Sequence, residues 1–229
     1  MGDMVEFPSN GNEARGYLAP PSHGAGPGVI VVQEWWGLNP QIKRVCDRLA
    51  DEGFTALAPD LYHGELASHT EMDKAAQLLT ELPIDRAARD MSGAVDYLAN
   101  HDAVRGDGVG TIGFCMGGRL VLVLAANRPD KITCAVSYYG VVPDPSELDL
   151  ASVRAAVQGH FATNDGFMPP DAAREVEQQL KDAGADVDFH YYEAGHAFAN
   201  DENPMGSYDE DAARQAWVRT LEFLRAHLG

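Results

Sequence analysis

Cys115 stands in the run Thr111-Ile112-Gly113-Phe114-Cys115-Met116-Gly117-Gly118, a Gly-x-Cys-x-Gly-Gly pattern between an apolar strand-like stretch and the helix-compatible residues 119–124. A strand-to-helix turn this tight needs small residues two positions either side of its centre, because a Cβ there would strike neighbouring backbone. Gly113 and Gly117 meet that demand. Such a turn lifts the sulfur above a sheet at the N-terminus of a helix, where backbone N–H groups and the helix dipole favour thiolate over thiol. The chemistry expected of Cys115 is therefore nucleophilic attack in acyl transfer. Cys46 and Cys134 read as small buried hydrophobes, one on a helix and the other inside an apolar strand.

A nucleophile of this kind needs a base, and the base needs an orienting group. Downstream, Asp165 lies in the turn-rich Ala162-Thr163-Asn164-Asp165-Gly166-Phe167-Met168-Pro169, and His196 in Glu193-Ala194-Gly195-His196-Ala197-Phe198. Each follows a strand-like run, so both loops open on the carboxyl edge where open α/β sheets carry their sites. Asp165 is expected to hold the imidazole in the required tautomer. His196 is expected to take the Cys115 proton and later deliver it to the leaving group. Gln33-Glu34-Trp35-Trp36-Gly37 ends another strand-like run, and the backbone N–H groups of Trp35 and Met116 are expected to hold the oxyanion. Residue chemistry alone assigns Glu34 no role, since a carboxylate beside the sulfur opposes the thiolate. Among the other histidines, His63, His160 and His190 read as surface or packing residues. His160, Asp165 and His196 are acceptable zinc donors without a local spacing motif, and no metal or other cofactor is expected.

The elements that must position these groups follow from hydrophobic periodicity. Residues 28–33 are apolar on both faces, as a buried parallel strand should be, and are expected at the centre of the sheet. Further strands are expected at 54–58, 109–114, 132–138, 155–162 and 187–192. Asn39-Pro40 supplies an N-cap and an N1 proline for a helix that buries Ile42, Val45 and Leu49. Thr70 is expected to cap a second helix with Met72, Ala75, Ala76 and Leu79 facing inward. A third runs from about 85 to 100 and a last from about 209 to 227, burying Trp217, Leu221 and Leu224. Strands alternating with helices predict an α/β chain with a mostly parallel, doubly wound sheet, and no domain boundary is visible over 1–229.

Bulk properties narrow the partners. A formal net charge of -18 opposes a phosphate backbone, so nucleic-acid binding is not expected. No apolar run approaches the roughly 18–20 residues that span a bilayer, and the opening MGDMVEFPSN lacks the basic and apolar segments of a secretion signal. The expectation is a cytoplasmic protein, more readily a monomer than an oligomer, acting on a small molecule. Three cysteines at wide spacings suggest no disulfide framework.

With these residues in hand, the chain resembles the dienelactone hydrolase family over nearly its whole length. The resemblance is carried by QEWWG at 33–37, APDLY at 58–62, GFCMGG at 113–118, YYG at 138–140, the Asp165 loop and EAGHAF at 193–198. It implies an α/β-hydrolase fold that cleaves small esters or lactones through Cys115, Asp165 and His196. It also implies that Glu34 pairs with the thiol at rest and shifts as substrate binds, and that Trp36, Tyr138 and Phe167 line the pocket. Members that open dienelactone hold its carboxylate with two arginines. One belongs just after Phe198-Ala199, where this chain has Asn200; the other belongs near 72–74, where it offers Lys74. Lysine is a poorer fork for a carboxylate than arginine, so a neutral short-chain ester or lactone is the expected substrate. Dienelactone itself, in aromatic or chlorocatechol degradation, is the alternative, and a non-catalytic redox-sensing module built on Cys115 a remote one.

Overall fold

The computed structural model describes residues 1–9, 11–140 and 148–229. Its eight strands form one sheet in the order β1-β2-β4-β3-β5-β6-β7-β8. The strands are β1 (Asp3–Ser9), β2 (Asn12–Ala19), β3 (Gly26–Val32), β4 (Thr55–Pro59), β5 (Val104–Phe114), β6 (Ile132–Tyr138), β7 (Ala156–Ala162) and β8 (Val187–Tyr192). β1 and β2 pair antiparallel, and β2 pairs antiparallel with β4, whereas β4 through β8 are parallel. The expected α/β-hydrolase fold with a mostly parallel sheet is what the chain forms.

β3 sits inside the sheet between β4 and β5, and all seven of its residues are buried. Its side chains alternate. Ile30 and Val32 pack into the core on one face, which holds α3 (Ile84–Ala99), α4 (Met116–Asn127) and α5 (Pro170–Asp182). Val29 and Val31 pack into the core on the other, which holds α1 (Pro40–Asp51) and α6 (Glu210–Leu228). Each fully buried valine or isoleucine stabilises the fold by roughly 1.5–3 kcal/mol, which makes this run a strong anchor for the loop that follows it. α1 starts as its sequence predicts, with Pro40 at its first position and Asn39 Oδ1 accepting from Ile42 N–H at 3.0 Å.

Several elements differ from the sequence expectation. β1 and β2 are additional strands; they carry only a partial hydrophobic alternation, with exposed positions mixed in, and so give no clear strand signal. α5 is an additional helix, although Ala173, Val176 and Leu180 recur at helical spacing behind Pro170. α2 (Met72–Glu81) is not capped by Thr70: its N-cap position is Glu71, whose carboxylate instead accepts from Ser68 N–H at 2.8 Å and Ser68 Oγ at 2.7 Å. Its inward face is narrow, formed by Ala75 and the half-buried Leu78. Ala75 alone is buried, against Trp36 and Ala67, while Met72, Ala76 and Leu79 are exposed. α2 lies on the surface as a thin cover and not as a core helix. Trp217 is half-buried, with the Arg48 guanidinium 4.0 Å from its ring centroid, whereas Leu221 and Leu224 are buried as expected. No helix among the described residues is long and apolar enough to cross a membrane.

Candidate active site

The turn between β5 and α4 holds Cys115 at φ +53° and ψ −115°, a left-handed conformation that a non-glycine residue keeps only when its surroundings enforce it. The surroundings are backbone. Cys115 N–H donates to Tyr138 O at 3.0 Å, and Gly118 N–H donates to Cys115 O at 2.9 Å. A Cβ on Gly113 would overlap the Gly117 carbonyl, and one on Gly117 would overlap Val32 O. The expected demand for glycine at both positions is therefore a demand of close packing between β3, β5 and the first turn of α4.

Asp165 and His196 arrive from the loops after β7 and β8. His196 Nδ1 lies 2.8 Å from Asp165 Oδ2, and His196 Nε2 lies 3.3 Å from Cys115 Sγ. Asp165 is fixed by its own loop, since its Oδ1 accepts from Phe167 N–H and Met168 N–H, each at 2.8 Å. The backbone of His196 is tied through its carbonyl to Ser207 Oγ, and the imidazole rests against the rings of Phe167 at 5.0 Å and Tyr139 at 5.3 Å. Three groups separated by up to 81 positions thus meet in one line.

Electrostatics hold the thiol in its neutral form. Burial pushes Cys115 up to about 12, assisted by the charges of Glu34 and Asp165, while the Met116 N–H acts against them. Helix-terminal stabilisation of the thiolate is present, but in the free protein it is outweighed. Glu34 is itself 1% exposed, and burial pushes its carboxyl up to about 7 against the opposing effects of Asn200, His196 and Tyr139. Glu34 does not pair with the sulfur. Its Oε2 accepts from Asn200 Nδ2 at 2.8 Å and its Oε1 faces the Tyr139 hydroxyl at 3.5 Å, which leaves Cys115 to His196.

A cavity of about 100 Å³ opens on the sulfur, lined by Glu34, Trp35, Trp36, Leu79, Cys115, Phe167, His196, Ala197 and Met205. Trp36 and Phe167 are among the lining residues. Tyr138 is not: strand alternation sends it with Cys134 and Val136 to the α1 and α6 face, where its hydroxyl meets Thr220 Oγ1 at 2.8 Å. Its neighbour Tyr139, at φ +35°, breaks the alternation and reaches the site instead. Asn200 is fully buried and does not line the cavity; it acts on Glu34 from behind. The sequence does not point to Leu79, Met205 or Tyr139 at the site: Met205 lies in a loop without a motif, Leu79 reads as facing the core, and Tyr139 cannot be told from Tyr138 within the YYG run. A larger cleft of about 510 Å³ between α1 and α6, with Tyr138 and Phe114 in its wall, contains none of Cys115, Asp165 and His196.

The remaining histidines sit elsewhere. His160 is buried among Tyr192, Gln158 and Thr220, at 2.9–3.1 Å, and therefore does not join Asp165 and His196 as a ligand set. Burial holds it well below the usual histidine value. His190 stacks on it at 5.5 Å, and His63 pairs with the buried Asp90 at 2.8 Å. Among the described residues no three His, Cys, Asp or Glu side chains are grouped to hold a metal ion.

The model of the dienelactone hydrolase family matches residues 14–228. "Protein usf" of Aquifex pyrophilus is 37% identical over 235 residues that span all of both chains. The carboxymethylenebutenolidase of Pseudomonas sp. strain P51 is 35% identical over 216 residues, covering 91% of this chain and 88% of that one. Among solved structures, a putative dienelactone hydrolase from Klebsiella pneumoniae subsp. pneumoniae MGH 78578 superposes with a TM-score of 0.85 at 30% identity, covering 97% of each chain. A dienelactone hydrolase-like promiscuous phosphotriesterase from metagenomic libraries superposes with a TM-score of 0.86 at 25% identity, covering 100% of this chain and 99% of that one. With a family match over almost its whole length and relatives above 30% identity from end to end, this chain belongs to the dienelactone hydrolase family.

Proposed function

We propose that this member of the family hydrolyses small, neutral carboxylic esters or lactones through an acyl-Cys115 intermediate, with His196 as base and Asp165 as its orienter. The observation that carries the reading is the line Asp165 Oδ2, His196 Nδ1, His196 Nε2, Cys115 Sγ, with steps of 2.8 and 3.3 Å at its two ends. At rest the thiol keeps its proton, so its transfer to His196 Nε2 accompanies attack of the sulfur on the substrate carbonyl. Asp165 stabilises the imidazolium that forms. The backbone N–H groups of Trp35 and Met116 hold the tetrahedral oxyanion; Met116 opens α4, where N–H groups lack helical partners. Collapse expels the alkoxide, which takes the proton from His196, and leaves a thioester on Cys115. Water, deprotonated by His196, then attacks the thioester, and the acid departs as the thiol is restored. In a lactone the leaving alkoxide stays tethered, so the product is a hydroxy acid.

The cavity supports neutral substrates. Among the described residues no Arg or Lys lines it, and Asn200, which stands where dienelactone-opening members carry an arginine, is engaged with Glu34. A carboxylate on the substrate would meet apolar walls and the Glu34 carboxyl, an arrangement that disfavours a second negative charge. The 35% identical carboxymethylenebutenolidase keeps dienelactone as the second reading.

The test is a panel of p-nitrophenyl acetate, a neutral lactone and dienelactone with wild type and Cys115→Ser. Wild type is expected to turn over the two neutral compounds and to discriminate against dienelactone, and Cys115→Ser to lose about 10³-fold or more in kcat. Undiminished turnover by Cys115→Ser would remove the mechanism, and dienelactone as the best substrate would remove the substrate class alone.

A further inference from the structure

We infer that Asn200 is a positioning residue of this site: its side-chain amide, oriented by the backbone N–H of Glu202, holds the buried Glu34 carboxyl beside the nucleophile and off its sulfur, so that the Cys115–His196 pair is made before substrate arrives. The inference rests on the proposed mechanism, and it extends that mechanism to a residue outside the cavity wall.

The two ends of a primary amide are chemically different, one accepting and one donating, so fixing one end fixes the other. Asn200 Oδ1 accepts from Glu202 N–H at 3.1 Å, which turns Nδ2 toward Glu34 Oε2 at 2.8 Å. The backbone of Asn200 is held as well, its N–H donating to Ala197 O at 2.9 Å and its carbonyl accepting from Asn203 N–H at 3.0 Å. Glu202 is anchored to two other parts of the molecule, meeting Arg44 of α1 at 2.7 Å and His69 before α2 at 3.3 Å. Asn200 is 0% exposed, so its amide is shielded from bulk solvent.

The groups that act on the Glu34 carboxyl are Asn200, His196, Tyr139 and, by its charge, Glu202. Of these, Asn200 makes the short hydrogen bond, whereas Tyr139 stands at 3.5 Å. Without the amide, the buried carboxyl is left with the Tyr139 hydroxyl at 3.5 Å and is driven to keep its proton, and as a donor beside the nucleophile it competes with His196 for the sulfur. With the amide in place, formation of the Cys115–His196 pair requires no charge on the substrate. That is the property an enzyme for neutral esters needs.

The experiment reads Glu34 directly. An infrared titration without substrate follows the protonated-carboxyl band that Glu34→Gln removes, alongside the pH profile of kcat/KM for p-nitrophenyl acetate. Asn200→Leu keeps the side-chain shape and removes the donor; it is expected to move the Glu34 midpoint upward from about 7 by roughly one pH unit or more. Asn200→Asp, the closest isostere, is expected to move it further, since two facing carboxyls share one proton, and it serves where the leucine variant does not fold. The loss of kcat/KM caused by Asn200→Leu is expected to vanish in a Glu34→Gln background, which a merely structural role would not produce. An unmoved midpoint in either variant, or the same loss in both backgrounds, would overturn the proposal. Because the titration uses no substrate, it stands apart from the fate of the Cys115 mechanism.

Discussion

A carboxyl that is 1% exposed and pushed up to about 7 makes a statement about stability as well as chemistry. In the unfolded chain Glu34 ionises near the ordinary value of 4.5, and in the folded protein near 7. Between these values the unfolded state loses its proton first, so the stability that protonated Glu34 contributes is complete below about 4.5 and is lost as pH rises through about 7. The size is at most roughly 3–4 kcal/mol, since each pH unit between the unfolded value of 4.5 and the folded value of about 7 is worth about 1.36 kcal/mol. Glu34→Gln keeps an oxygen for the Asn200 donor and cannot ionise. Its melting temperature is expected to exceed that of wild type at pH 8 and to match it near pH 4. Equal melting temperatures at both pH values would show that the carboxyl is solvated in solution.

At the scale of elements, the site is built on ends. β3, β5, β7 and β8 each deliver one functional group in the first loop residues beyond the strand, so the parallel register that buries Val29–Val32 also aligns Glu34, Cys115, Asp165 and His196. α2 differs from the other helices: only the buried Ala75 and the half-buried Leu78 hold it against Trp36, and its exposed Leu79 forms part of the cavity wall. Leu79 is 41% exposed, so its loss should cost little stability, but it stands where the acyl or alcohol chain of a substrate must lie. Leu79→Ala is expected to raise the ratio of kcat/KM for p-nitrophenyl hexanoate over acetate by about ten-fold, the scale of a methylene-sized change in an apolar pocket. An unchanged ratio would remove α2 from the specificity of the site.

For the whole molecule, 35 acidic residues against 17 basic ones set a self-repulsion that the fold must overcome. The pairs among the described residues are mostly exposed, such as Arg225 with Glu52 and Arg174 with Asp171, and each contributes roughly 0–1 kcal/mol. Screening is therefore expected to stabilise the protein. Raising sodium chloride from about 10 mM to 0.5 M, which shortens the Debye length from roughly 30 Å to a few ångströms, should raise the melting temperature at pH 8 by a few degrees. A fall in melting temperature would mean that the surface pairs outweigh the net repulsion.

Some of this protein was decided by sequence alone. Local chemistry is legible where one residue type alone satisfies the backbone: Gly113 and Gly117 announce the turn at Cys115, Asn39-Pro40 announces α1, and a doubly apolar run announces β3. Chain order and loop position then single out Asp165 and His196 before any contact is known. What sequence could not decide depends on direction and on distance through space. Tyr138 and Tyr139 are indistinguishable as text, and only a positive φ at the second sends it across the site while alternation keeps the first on α6. The thin face of α2 has the same composition as a buried one. The balance at the sulfur, where burial and the Glu34 and Asp165 charges outweigh the Met116 N–H, and the amide that keeps Glu34 with Asn200 exist only once segments up to 166 positions apart are packed together.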